Sequence, residues 1–322
     1  MLSRRALLLE MAAAGVGAGA GAAACRGGAA ARLPARDLRI ATGNAGGVYV
    51  AYGEGIAGAV RERLPALRPQ VVQTQASVEN LRLLDAGEVD VAFSLADASA
   101  DAVRGGGSFP SPLRLAALAR LYDNYAQVVV LAGSQARTVA DLAGQAVSTG
   151  SAASGTSLLA GRILDAAGLR RGIDVETRSL DLVTSTGELA NGRIGAFFWS
   201  GGLPTSAIQR LVATTPVRLL DLTDLAPGLA AAHDVYVQTS VPASAYGFAE
   251  SITTVSVSNY LVVRRDEDAE LAYQLTRLLF TAQDRIGRAH PEVRRLNLRS
   301  AISTYPLDLH PGAMRYYREA KD

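Results

Sequence analysis

The sequence alternates between strand-like and helix-like patterns, and this alternation constrains the fold more than any other feature. An apolar run at residues 38–42 leads through a glycine-rich loop into a segment with apolar residues at every third or fourth position. Strand patterns at residues 71–74 and 89–93 flank a helix pattern that begins at Ser77. Repeated β-α-β units of this kind predict a parallel sheet with helices on its faces, and hence an α/β protein.

Two glycine-rich loops of similar design precede helices, one in each half of the chain. Residues 41–55 read ATGNAGGVYVAYGEG, and residues 149–157 read TGSAASGTS. A helix start carries unpaired N–H groups and a partial positive charge, and glycine lets the backbone approach a ligand closely. Such a loop holds a phosphate or a carboxylate equally well. The loops alone therefore leave both a cofactor-dependent enzyme and a binding protein open.

The loops depart from the motifs of the common cofactor enzymes. A dinucleotide fingerprint needs a second glycine where Ala45 stands and an acid near Gln75. The only lysine is Lys321, so a P-loop is excluded, and the Gly/Ser spacing of the second loop does not fit G-x-S-x-G. The three histidines have no metal-ligand spacing. We therefore predict no catalytic residue, no metal and no cofactor.

Uncharged hydrogen-bonding residues and glycines remain as the candidate site. Such donors suit reversible binding of a small carboxylate, because each hydrogen bond to a charged group contributes roughly 1.5–3 kcal/mol. The predicted ligand-binding residues are Thr42, Gly43, Asn44, Gly46, Gly47, Tyr49, Ser77, Asn80, Ser151, Ser154, Gly155 and Thr156.

Several of these side chains have purely structural alternatives. The serine and threonine hydroxyls could serve only as helix caps, with Ser77 as the N-cap of its helix, and Tyr49 could only pack against the sheet. Asp97 could select an amino group on a ligand, although a capping role is favoured. Trp199 is predicted in the core rather than on the wall of a cleft.

Two long β-rich runs, at residues 121–131 and 252–263, are suited to connect two domains. Two open α/β domains joined in this way would face each other across a cleft. The predicted first lobe comprises residues 37–125 and 258–322, and the second comprises residues 126–257.

The N-terminus has the layout of a secretory signal over residues 1–25, with a basic pair followed by an Ala/Gly/Leu run. The basic pair resembles a twin-arginine signal, and the AAAC end resembles a bacterial lipobox with Ala22 where leucine is usual. Cys25 is the only cysteine and is the predicted lipidation site, with residues 26–36 as a flexible tether. An uncleaved anchor is the alternative. We expect an exported protein, either lipid-anchored on the outer face of the cytoplasmic membrane or free in the periplasm or medium.

The charge pattern disfavours one class of partner. The formal net charge is +2, and the arginines are scattered among acids. This distribution does not form the basic stripe of a nucleic-acid-binding protein, so no nucleic acid is predicted as a partner.

Six segments in order resemble the TAXI subfamily of TRAP-transporter solute receptors, from residue 38 to residue 319. They are IATGNAGGVYVAYG, ASVENLRLLDAGEVDVAFSLAD, DLAGQAVSTGSAASGTS, IGAFFWSGGLPTSAI, VPASAYGF and LHPGAMRYYRE. Ala76 stands where that subfamily has glycine, and Gln145 where it has lysine.

This resemblance implies a two-lobed α/β fold of the periplasmic-binding-protein type II. Each lobe would hold a mixed or parallel sheet flanked by helices, with two hinge crossings between the lobes. It also implies a receptor without enzyme activity that passes its ligand to the membrane permease subunits of a transporter driven by an ion gradient. The expected ligand is an amino acid or dicarboxylate such as glutamate or 2-oxoglutarate. A tethered sensor for a signalling partner and an enzyme on the same scaffold are the rival hypotheses.

Overall fold

The computed structural model describes residues 33–321, and within them ten strands form one mixed β-sheet with helices packed against it. The signal sequence, Cys25 and most of the tether lie outside the described residues. The strands are β1 (Arg36–Ala41), β2 (Leu67–Val72), β3 (Val91–Leu95), β4 (Leu115–Leu131), β5 (Ala146–Ser148), β6 (Glu176–Arg178), β7 (Ala196–Gly201), β8 (Val217–Leu219), β9 (Tyr236–Val241) and β10 (Ile252–Arg264). The helices are α1 (Val48–Arg63), α2 (Ser77–Asp85), α3 (Ala96–Arg104), α4 (Gly155–Ala166), α5 (Leu182–Ala190), α6 (Ser206–Thr214), α7 (Ala226–Ala232), α8 (Ala269–Thr281), α9 (Gln283–Ile286), α10 (Leu298–Ala301) and α11 (Pro311–Glu319).

The sheet contains two parallel segments joined by antiparallel strands. Its order is β2-β1-β3-β10-β4-β7-β5-β6, with β8 added to β4 and β9 added to β10. Strand β1 pairs in parallel with β2 and β3, and β5 pairs in parallel with β6 and β7. Strands β4 and β10 run antiparallel to each other and to the strands beside them. The prediction of parallel β-α-β units in both halves of the chain is confirmed.

The two long runs of the sequence correspond to the two central strands. β4 has 17 residues and β10 has 13. The first part of β4 pairs with β10, and its last part pairs with β7 and β8. Strand β4 therefore reaches the second parallel segment through β7, whereas β10 pairs with β3 of the first segment and, in its first part, with β9. The division into lobes at residues 125 and 257 stays a prediction.

The apolar core lies on both faces of the sheet. Alternate residues of β10 enter different clusters, with Val262 in one and Val263 in the other, because successive side chains of a strand point to opposite faces. One cluster packs under α2, α3, α4 and α7, and another packs under α1, α8 and α11. A third cluster fills the space beneath α5 and α6.

Helix α1 follows the predicted apolar spacing. Tyr49, Tyr52, Ile56 and Val60 are buried on one face, and Leu64 is half-buried where the helix ends. None of the helices within residues 33–321 combines the length and apolar character needed to cross a bilayer.

Some elements differ from the sequence-based expectation. The sequence pattern predicts two strands, at residues 113–121 and 127–131, but the structure has the single strand β4. It also predicts one long helix over residues 267–289, which the structure divides into α8 and α9. Strand β9 was not predicted, because its burial lacks regular alternation and its place is set by pairing with β10. The helix is interrupted at Ala282, whose φ of −112° and ψ of 14° leave the helical region.

Asp90, just before β3, stabilises the start of β1 through hydrogen bonds from two arginines of that strand. Its carboxylate accepts the Arg39 N–H at 2.7 Å and the Arg36 Nη2–H at 2.7 Å. Burial alone raises the pKa of Asp90, but the hydrogen bonds and charges of Arg39 and Arg36 outweigh it, so the pKa lies below its usual value.

We expect Asp90→Asn to lower the free energy of unfolding by about 2 kcal/mol at neutral pH, because hydrogen bonds to a buried charge are lost. A depressed carboxyl pKa contributes stability above the unfolded-state pKa of about 4 and loses it as pH falls through the folded-state value. The difference between the two proteins should therefore vanish in acid. Urea unfolding between neutral pH and pH of about 3 measures this difference.

Asp37→Asn, which breaks the exposed pair with Arg68, is the matched control and should cost under about 0.5 kcal/mol. Equal losses for both variants would contradict this account of Asp90.

Candidate functional site

One cavity lies at the point where three helices begin. Val48, Ser77 and Gly155 are the first residues of α1, α2 and α4, and all three line it. The space that the centre of a water-sized molecule can reach measures about 40 Å³. The walls are formed by Gly43, Asn44, Gly47, Val48, Tyr49, Ala76, Ser77, Leu95, Tyr122, Asn124, Ser154, Gly155, Thr156, Trp199, Ser200 and Gly201. All of these side chains are uncharged at neutral pH.

Two of the three helix starts have no side-chain cap. Gly47 and Ala76 precede α1 and α2 as N-cap residues, and neither offers a side-chain acceptor. Helix α4 is capped on one amide, because Ser154 Oγ accepts the N–H of Ser157 at 3.0 Å. The first amides of a helix together with its dipole attract an anion, so these three starts favour a negative group in the cavity. One amide of α2 is already used, because the N–H of Glu79 donates to the carbonyl of Ala153 at 3.1 Å.

Ala76 holds a backbone conformation that side chains rarely adopt. Its φ is +87° and its ψ is −144°, in a region normally reserved for glycine. Such a residue costs on the order of 1–3 kcal/mol and persists only where the surrounding structure imposes it. As a consequence Ser77 is the first residue of α2 and not its N-cap as predicted. The Ser77 hydroxyl instead accepts the N–H of Leu95 at 3.1 Å.

A chain of hydrogen bonds fixes the wall between α1 and β7. Tyr49 donates its hydroxyl proton to Asn259 Oδ1 at 2.5 Å, and Asn259 Nδ2 donates to Asn124 Oδ1 at 2.9 Å. Asn124 Nδ2 then donates to the carbonyl oxygen of Ser200 at 3.1 Å. Burial raises the pKa of Tyr49, and a hydrogen bond with Ser77 opposes this shift only in part. Tyr49 therefore stays protonated and serves as a fixed neutral wall.

Helix α4 approaches the end of β3 and the start of α2 closely because its first residue is glycine. A Cβ at Gly155 would lie 2.5 Å from Leu95 Cδ1 and 2.9 Å from Ser77 Oγ. The two glycine-rich loops also contact each other directly, since Asn44 Nδ2 donates to Ser151 Oγ at 2.9 Å. The amide of Ala153 donates to Gln75 Oε1 at 3.1 Å. These contacts close one side of the cavity.

Most of the predicted ligand-binding residues meet in this cavity. Those that line it are Gly43, Asn44, Gly47, Tyr49, Ser77, Ser154, Gly155 and Thr156. Those that do not are Thr42, Gly46, Asn80 and Ser151.

The four predicted residues outside the wall hold the loops in place. Thr42 Oγ1 donates to the carbonyl of Val72 at 2.9 Å, and Asn80 Nδ2 donates to the carbonyl of Thr42 at 2.6 Å. Gly46 turns the first loop with a φ of +80°, and Ser151 accepts the bond from Asn44 described above.

Several residues of the cavity wall are not among the predicted ligand-binding residues. Tyr122 and Asn124 belong to the middle of β4, and Ser200 and Gly201 end β7. The polar residues of the segment YDNY inside an otherwise apolar run were the available signal for the first two.

Two further residues differ from their expected places. Trp199 is half-buried on the cavity wall, whereas the sequence favoured a core position, and its Nε1 donates to Thr205 Oγ1 at 3.1 Å. Asp97 does not line the cavity, and its carboxylate accepts a backbone amide of the same helical turn, the N–H of Ala98, at 2.7 Å. It lies within the first turn of α3, where its carboxylate accepts the Tyr236 hydroxyl at 2.7 Å. No metal-binding group of three or more His, Cys, Asp or Glu side chains occurs in residues 33–321.

Comparison with known proteins places the chain in a family. The model of the NMT1-like family matches residues 40–320, nearly all of the part that the structure describes. The chain belongs to the NMT1-like family.

Solved structures show which fold this NMT1-like protein has. It is similar to XAC2383 from Xanthomonas citri bound to ATP, with a TM-score of 0.51 and 15% identity over 88% of this chain and 94% of that one. The same Xanthomonas citri protein bound to chloride ion gives a TM-score of 0.50 at 15% identity, over 88% of this chain and 95% of that one. The periplasmic aliphatic sulphonate binding protein SsuA from Escherichia coli gives 0.49 at 17% identity, over 88% and 83%. The predicted α/β fold, a mixed sheet flanked by helices, is confirmed.

Proposed function

We propose that this NMT1-like protein is an exported solute receptor that binds a small carboxylate between two lobes and releases it unchanged. The observation that carries the proposal is the meeting of three helix starts at one small cavity with uncharged walls. The finer assignment, supported by the sequence resemblance, is a TAXI receptor that delivers an amino acid or dicarboxylate to the permease subunits of a TRAP-type transporter.

The energetics suit reversible capture of an anion. A helix start favours a negative group by about 0.3–1 kcal/mol, and by up to ~2 kcal/mol when partly buried. Hydrogen bonds to the charged group add roughly 1.5–3 kcal/mol each. Three to five such bonds, less the cost of ordering the ligand, correspond to micromolar affinity, or about −8 kcal/mol.

The proposed lobes supply different parts of the wall. Helices α1 and α2 begin in the first lobe, and α4 and the end of β7 lie in the second. Only a closed arrangement brings both sets of donors to one ligand, so binding would favour closure. The two long strands β4 and β10 connect the lobes and are the proposed hinge.

Export and anchoring complete the proposal. The signal-like residues 1–25 would direct the chain out of the cytoplasm, and lipidation of Cys25 would keep the receptor beside its membrane partner.

A melting screen of the purified protein tests the proposal. A carboxylate at a hundred times its Kd should add about 2.7 kcal/mol of stability, which raises the Tm by roughly 5–10 °C. Small-angle scattering should show compaction with the same compound, and mass spectrometry should recover that compound unaltered. No stabilisation by any carboxylate, amino acid or dicarboxylate, or conversion of the bound compound, would contradict the proposal.

A further inference from the structure

We propose, on the basis of the carboxylate receptor described above, that its ligand carries no ammonium group. The receptor should bind 2-oxo acids and reject the amino acids with the same carbon skeleton, and the Ser200 hydroxyl should contribute to this selection.

Electrostatics at the cavity act against an ammonium. Three helix starts present partial positive charge to one small space, and all the lining side chains are neutral. The effective penalty for burying an ion is several kcal/mol unless an opposite charge pairs with it. A carboxylate finds that partner in the helix starts, whereas an ammonium beside them would be repelled.

Two buried carboxylates, Asp97 and Glu292, lie outside the cavity wall and have cationic neighbours of their own. Asp97 accepts the Tyr236 hydroxyl, and Arg162 Nη1 lies 3.7 Å from its Oδ2. Glu292 accepts the N–H of Leu203 at 3.2 Å, and its Oε2 lies 3.0 Å from Arg295 Nε. Neither lines the cavity.

The hydroxyl groups of Thr156 in α4 and Ser200 in β7 can donate hydrogen bonds to a ligand. Thr156 Oγ1 already accepts the N–H of Ser200 at 3.2 Å, which leaves its own proton for another acceptor. Ser200 lines the cavity, and within residues 33–321 its buried Oγ has no hydrogen-bond partner. A carboxylate or keto oxygen can accept from both hydroxyls, but an ammonium has only donors.

Ser200 differs from the other buried serines within residues 33–321. The residue is 5% exposed, and an unpaired hydroxyl in such a place is costly. Ser99 Oγ, by comparison, donates to Ser94 Oγ at 3.0 Å, and Ser148 and Ser185 share a hydrogen bond at 2.7 Å. An unpaired buried hydroxyl on a cavity wall points to a ligand atom as its partner.

The test measures the affinity of the purified full chain for three matched pairs by calorimetry. The pairs are pyruvate and alanine, 2-oxoisovalerate and valine, and 2-oxoglutarate and glutamate. In at least one pair the 2-oxo acid should bind, and the amino acid should bind at least 100-fold more weakly. An amino acid that binds as tightly as its 2-oxo partner overturns this inference and leaves the proposed function standing. Absence of binding by all six compounds also overturns this inference, whereas the proposed function fails only if the melting screen finds no carboxylate ligand at all.

Ser200→Ala separates a ligand contact from a structural role. The variant should bind the preferred 2-oxo acid about 5- to 20-fold more weakly, while its Tm without ligand stays the same or rises, because an unpaired buried hydroxyl is removed. Ser99→Ala is the control, and it should lower the Tm without changing the ratio of affinities within a pair. A lower Tm with unchanged affinity for Ser200→Ala would overturn the role assigned to Ser200.

Discussion

Gly155→Ala is expected to weaken carboxylate binding by about 10- to 100-fold. The added Cβ would meet Leu95 Cδ1 at 2.5 Å and Ser77 Oγ at 2.9 Å, so the start of α4 could no longer approach the start of α2. Overpacking of this kind costs about 1–3 kcal/mol, and each 1.4 kcal/mol is roughly a factor of ten in affinity. If the lobes separate without ligand, this cost falls on the closed form alone, and the Tm of the unbound protein should hardly change.

The matched control is Gly187→Ala. Gly187 lies within α5, where an added Cβ meets no atom within 4 Å, so binding should be unaltered. Calorimetry with the tightest acid of the three pairs, together with the Tm of each unbound variant, gives the comparison. Unchanged affinity in Gly155→Ala would refute the close approach of the two helices. A large drop in the Tm of the unbound variant would show that the two halves stay closed without ligand.

The fold could be predicted because its main elements correspond to local patterns in the sequence. The glycine-rich loops before α1 and α4 and the apolar spacing of α1 gave two strand–loop–helix units in the correct places. The long runs at β4 and β10 gave the two central strands. These features are local in the chain, so periodicity and turn chemistry were enough to find them.

The cavity wall depended on pairs that are distant in sequence. The bonds from Asn259 to Tyr49 and to Asn124 span 210 and 135 residues, and the strand register that creates them leaves no local pattern. The sequence favours a core position for Trp199, yet its place near the end of β7 puts it beside Gly47. Ala76 is a further case, because the only sign of its glycine-like backbone was the glycine at this position in the TAXI pattern that the sequence resembles.

Arg162 joins α4 to α3 through a buried cluster that the sequence did not reveal. Its guanidinium donates to both carboxylate oxygens of Asp101, at 2.8 and 2.9 Å, and to the Tyr236 hydroxyl at 2.9 Å. Asp97, fully buried, lies 3.7 Å away. Burial raises the pKa of Asp97, and the charge of Arg162 opposes this shift. The arginine therefore offsets the charge of two acids across the contact between these helices.

Arg162→Met should lower the free energy of unfolding by about 3–5 kcal/mol at neutral pH, because two buried or half-buried carboxylates lose their partner. Without Arg162 the pKa of Asp97 should rise further. A raised carboxyl pKa imposes a penalty that is absent below the unfolded-state pKa and grows as pH rises toward the folded-state value. The loss should accordingly shrink toward pH of about 4.

Urea unfolding of both proteins across this pH range measures the loss. Arg170→Met, which removes the exposed pair with Asp174, is the control and should leave stability unchanged. A pH-independent loss, or one no larger than that of the control, would show that Arg162 only packs against Tyr236.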